Sequence, residues 1–91
     1  MGLSVDVKLT PGYPAVINHA KQVEYVREAW QRVFPNNRWI EYKNMGSEDF
    51  SYYLQKIPGA FFGLVIGNLP AAHSPDYDFN DDLIPLAVKV Y

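Results

Sequence analysis

Polar and apolar residues alternate from Ser4 to Thr10, with Val5, Val7 and Leu9 on one side and Asp6, Lys8 and Thr10 on the other. An extended chain points successive side chains to opposite faces, so this pattern predicts a strand with one wet face. Pro11-Gly12-Tyr13-Pro14 ends it as a bend or linker. The period then changes. From Ala20, apolar residues recur at Val23, Val26, Ala29-Trp30 and Val33-Phe34, while Lys21, Glu24, Glu28 and Arg32 take the other side. This spacing predicts an amphipathic helix, with Asn18 as its N-cap and Pro35-Asn36-Asn37 as its stop. Arg38 to Tyr42 predicts a short strand and Lys43 to Gly46 a loop. Ser47 has the chemistry of an N-cap, with Glu48 and Asp49 in the first turn, where the helix dipole favours anions. That helix is expected to run to about Gln55, before Pro58-Gly59. Ala60 to Ile66 is a near-continuous apolar run, as in a central strand covered on both faces. Gly67 to Pro75 is a loop. A last helix carries Leu83, Ile84, Leu86, Val88 and Val90, and Pro85 fits only in its first turn, which favours Asp82 as the cap. The predicted order is β-α-β-α-β-α, an α/β arrangement.

Composition narrows the function. Of 91 residues, 48% are hydrophobic and 20% charged, which is a globular composition and not a disordered one. Aromatics reach 15%, and Phe50, Tyr52, Tyr53, Phe61 and Phe62 are expected to form core. The net charge of −2, with dispersed Lys and Arg, argues against nucleic acid as a partner. No apolar run approaches the length of a membrane span, and the first residues lack the pattern of a signal peptide. There is no Cys, hence no disulfide, no thiolate metal site and no Cys nucleophile; a reducing cytoplasm suits such a chain. Nucleotide-binding glycine loops, a serine elbow and H-E-x-x-H are also missing. Two features remain. His73 lies in a Pro-bounded loop just past the apolar run, with Asp76 and Asp78 close behind; Ser47-Glu48-Asp49 opens a helix. A His so placed suits a metal ligand or an acid/base, although a plain surface His is the commoner case. Acids at a helix start are more often there for the dipole. His19, beside a predicted cap, reads as structural.

Together these residues carry a resemblance. Met45-Gly46-Ser47-Glu48-Asp49-Phe50-Ser51-Tyr52-Tyr53-Leu54, then Pro58-Gly59-Ala60-Phe61, then His73-Ser74-Pro75 followed by Tyr77-Asp78-Phe79-Asn80-Asp81, resembles the C-terminal third of the M20 metallopeptidases. The branch that looks nearest is the amidohydrolases acting on N-acyl amino acids, hippurate and auxin conjugates. Tyr13 to Asn18 resembles the segment that leaves that family's lid domain. The resemblance implies a catalytic domain with a mixed sheet flanked by helices, and a smaller inserted lid that usually makes a dimer. It implies two divalent metals (zinc, manganese, cobalt or nickel), with water attacking an amide and a Glu as general base. His73 matches the family's metal-ligand His. Glu48 and Asp49 match residues near the site, to touch substrate or support the ligands. His19 matches no ligand.

The resemblance also exposes departures. The family's other ligands and its general base lie upstream of anything matched here, so this chain offers no catalytic residue of its own. Ala87 stands where Gly is common, and the final helix normally continues beyond Tyr91. The implied organisation is residues 1–14 as the last strand of a lid-like domain and its linker, and 15–91 as the C-terminal part of a catalytic domain. The implied function is that of a C-terminal fragment of a metal-dependent amidohydrolase, inactive alone and holding no metal stably. Its parent's substrate would be a small N-acyl amino acid or peptide. The alternative is a non-catalytic α+β module that associates through apolar surface. This second reading predicts a homo-oligomer, because apolar faces built to be covered are left open.

Overall fold

The strongest periodic segment forms as expected. In a computed structural model, which describes residues 2–65, 67 and 70–91, helix α1 spans Ala20–Val33. Gln22, Val23, Val26, Ala29, Trp30 and Val33 are half-buried, and Lys21, Glu24, Glu28 and Arg32 face solvent. Its cap differs from expectation. His19, in an extended conformation, holds the cap position and makes no side-chain cap bond; the Asn18 side chain is engaged elsewhere. At the far end the Phe34 N–H donates to the Trp30 carbonyl at 2.7 Å, and Pro35 follows.

Helix α2 is shorter than its sequence suggested, Ser51–Leu54. The cap position is held by Phe50, with no side-chain cap bond, and not by Ser47; the Glu48 carboxylate Oε1 accepts the Phe50 N–H at 3.0 Å. The Ser51, Tyr52 and Tyr53 N–H groups then bond three residues back, to Glu48, Asp49 and Phe50. That is a tighter turn than an α-helix, and it consumes the residues that would have formed the first turn. Helix α3 spans Leu83–Val90 with Asp82 at the cap position, as expected, and Pro85 in its first turn. The capping chemistry comes from Asn80, whose Oδ1 accepts the Asp82 N–H at 3.0 Å.

The predicted mixed sheet is absent. Among the described residues there are three helices and no strand, so the β-α-β-α-β-α order is corrected to α1-α2-α3. A strand exists only through the backbone groups of a neighbour, and among the described residues the three candidate segments pair with none. Residues 4–10 are exposed throughout. Residues 38–42 meet α1 by side chains instead: the Arg27 guanidinium lies 5.2 Å from the Trp39 ring centroid, and Arg27 Nη2 is 3.5 Å from Glu41 Oε1. The third candidate is described as far as Val65, and its last residue, Ile66, lies outside the described residues. It keeps a period of two in its burial. Ala60, Phe62 and Leu64 are half-buried, and Phe61, Gly63 and Val65 are exposed.

The core is correspondingly thin. Leu54 of α2 and Val90 of α3 are the buried apolar side chains among the described residues, and Ser51 of α2 is buried at 0% exposure. The aromatic group expected as core is largely a stack on the surface. Phe50 lies 5.5 Å from Tyr53 and 5.3 Å from Phe61, yet Tyr52, Tyr53 and Phe61 all remain exposed. Helix α3 packs on α1, and Phe62 meets Tyr91 at 5.7 Å. The radius of gyration is 18.3 Å. A compact chain of this length would have about 12 Å. The excess reflects an elongated form, 65 × 35 × 20 Å.

Candidate functional site

His73 is held by a turn with an unusual backbone. Its φ is +72°, in the left-handed region, which costs a residue with a Cβ on the order of 1 kcal/mol. Such strain persists where the surroundings impose it, and here a bonded turn follows immediately. The Ser74 N–H donates to the Ala71 carbonyl at 2.9 Å, and Ser74 Oγ accepts the Asp76 N–H at 3.2 Å. The Tyr77 N–H closes on the Ser74 carbonyl at 3.1 Å. The result is an exposed imidazole on a shaped loop.

Glu48 and Asp49 stand at the start of α2. Glu48 is half-buried and commits one carboxylate oxygen to the Phe50 N–H, while Asp49 is exposed. Among the described residues, no hydrogen bond or ion pair joins either acid to His73, and no three His, Asp or Glu side chains converge as a metal site would require. A metal centre needs several donors in fixed geometry. His73 supplies one. The described residues therefore do not fit the dinuclear centre that the family resemblance implies.

The residues that the structure does bring together are ones the sequence reading left aside. Asn18 and His19 reach across to Gly59 and Phe61. The Phe61 N–H donates to Asn18 Oδ1 at 2.7 Å, and Asn18 Nδ2 donates to the Phe61 carbonyl at 2.8 Å. The His19 backbone N–H donates to the Gly59 carbonyl at 3.0 Å, and the Gly59 N–H donates to His19 Nδ1 at 3.1 Å. Beside them opens a mostly apolar cleft of about 290 Å³, lined by Pro14, Ala15, Ile17, Asn18, His19, Ser51, Leu54 and Gln55. Ser51 Oγ is buried there without a hydrogen-bond partner. Gly59 closes tightly on this side, since a Cβ on it would meet Leu54 Cδ2 at 3.0 Å. The only sequence signal for the arrangement was an Asn-His pair ahead of a helix, which capping explained equally well.

Comparison with known proteins places the chain. YhaA of Bacillus subtilis, named as an amidohydrolase, is 32% identical over 98% of this chain and 24% of its own length. The IAA-amino acid hydrolase ILR1-like 4 of Arabidopsis thaliana is 28% identical over 89% of this chain and 20% of its own length. The N-acetyldiaminopimelate deacetylase of Lactococcus lactis subsp. cremoris is 30% identical over 96% of this chain and 23% of its own length. The chain thus spans about a fifth to a quarter of the curated relatives it matches. No solved structure matches it. The model of peptidase family M20/M25/M40 matches residues 4–91, and the chain belongs to that family.

Proposed function

We propose that this chain is the C-terminal part of an amidohydrolase that cleaves the amide bond of a small N-acyl amino acid or peptide in the cytoplasm, and that it does not catalyse alone. Residues 15–91 would belong to the catalytic unit and 1–14 to a lid-like unit and its linker. The observation that carries the reading is the pair of blocks, Gly46-Ser47-Glu48-Asp49-Phe50 and His73-Ser74-Pro75, lying in order inside a family match that covers residues 4–91. The names of the relatives supply the substrate class: a hydrolase of IAA-amino acids and a deacetylase of an N-acetyl compound. Within the parent, His73 would give one imidazole to a divalent metal, with Glu48 and Asp49 on the wall of the site. Zinc titration of the chain tests the assignment. One weak site, lost in His73→Ala, is expected; two tight sites that survive His73→Ala would contradict it.

A second reading has its own support. Leu3, Val5, Val7 and Leu9 are all exposed at 80% or more, and Ile84 and Val88 open a further apolar strip on α3. Apolar surface of that extent favours association. On this reading the chain is a non-catalytic module that forms homo-oligomers. Light scattering at high concentration decides it: a dimer or larger species is expected, and a clean monomer would contradict it.

A further inference from the structure

The hydrogen bonds between Asn18-His19 and Gly59-Phe61 join residues 40 to 43 positions apart. The remaining side-chain hydrogen bonds among the described residues span two positions. The geometry points to a backbone-mimicking clasp: the Asn18 carboxamide and the His19 ring take the place of a neighbouring chain and fix segment 59–61 against the start of α1. The inference does not depend on the amidohydrolase reading, since it follows from polar geometry alone.

Three observations carry it. First, a carboxamide has the donor and acceptor of a peptide group, and Asn18 uses both on one residue, the Phe61 N–H and C=O. Second, the His19 main chain and ring do the same for Gly59. A backbone N–H can only donate, so the Gly59 N–H bond requires a lone pair on Nδ1. The neutral ring must therefore carry its proton on Nε2. The Gly59 carbonyl, also 3.2 Å from Nδ1, accepts instead from the His19 main-chain N–H. Third, the held residues are Gly59 and Phe61, two apart. In an extended chain such residues turn their backbone groups to the same side. A pair of unrelated surface contacts would have no reason to keep that spacing. The consequence is mechanical. Phe61 stacks on Phe50 of the α2 turn at 5.3 Å, so the clasp ties the start of α1, the α2 turn and the chain running on towards His73 into one unit.

Residue-resolved hydrogen exchange on the whole chain, with a nitrogen spectrum of the His19 ring, tests this. The Gly59 and Phe61 amides should exchange at least about tenfold more slowly than those of Val5 and Val7, after correction for intrinsic rates. Asn18→Ala should speed exchange at Phe61 by at least about fivefold, the factor expected from one lost net hydrogen bond. Asn18→Asp keeps an oxygen for the Phe61 N–H and should recover much of that protection, which loss of side-chain bulk alone would not predict. The ring spectrum should show a proton on Nε2 and none on Nδ1. Equal exchange at Phe61 and Val7, a neutral ring protonated on Nδ1, or Asn18→Asp exchanging as fast as Asn18→Ala would each overturn the clasp.

Discussion

Residues 4–10 and 60–65 both have sequences suited to strands, and their fates differ. Val5 and Val7 are 83% and 80% exposed, and among the described residues no hydrogen bond, ion pair or ring contact reaches residues 4–10. Residues 60–65 alternate between half-buried and exposed, as a strand with one covered face would. The difference lies in neighbours. The second segment has Asn18 and His19 on its backbone at Gly59 and Phe61, Phe50 against Phe61, and Tyr91 against Phe62. The first has a Pro-Gly linker behind it and, among the described residues, no such hydrogen bond or ring contact. A β-pattern states which side chains would share a face. It does not supply the second backbone that turns the pattern into a ladder.

Substitutions can break this contrast. The largest effect is expected from Leu54→Ala, which removes a side chain only 7% exposed from a core that has few others. A loss of about 2–3 kcal/mol is predicted by urea unfolding, with the 50–65 region released and residues 4–10 unaltered. Asn18→Ala should cost about 1 kcal/mol in the same assay, because water replaces its carboxamide on the exposed Phe61 N–H and C=O. Gly59→Ala should cost about 1 kcal/mol, since the new Cβ would press on Leu54 Cδ2 at 3.0 Å and one of them must shift. Val7→Thr should change stability by less than about 0.5 kcal/mol while preserving the β-pattern. A large loss there would show that residues 4–10 are anchored after all, and the contrast between the two segments would fail.

The same contrast explains what the sequence made legible. Helix α1 was readable because its period and its stop at Pro35 act within one segment. Helix α3 was readable for a similar reason, with Pro85 fixing where its first turn had to lie. Both depend on local spacing, which a sequence displays directly. The absence of the sheet was not readable, because pairing turns on partners outside each segment. Helix α2 starts later than Ser47 suggested, because residues 48–50 are spent in a turn closed by the Glu48 carboxylate and carbonyl. Of the candidate site, the motif blocks were visible as residue types in order, and they led to the family. Whether His73, Glu48 and Asp49 meet is a question of long-range geometry, and the bonds that do cross the chain come from Asn18 and His19.

On the proposed function, the chain carries the family's motifs without its chemistry. Turnover by the purified 91-residue protein, supplied with zinc or manganese and offered N-acetyl and N-benzoyl amino acids, tests it most directly. No hydrolysis above that of the metal alone is predicted. Robust metal-dependent turnover, lost in His73→Ala, would contradict it.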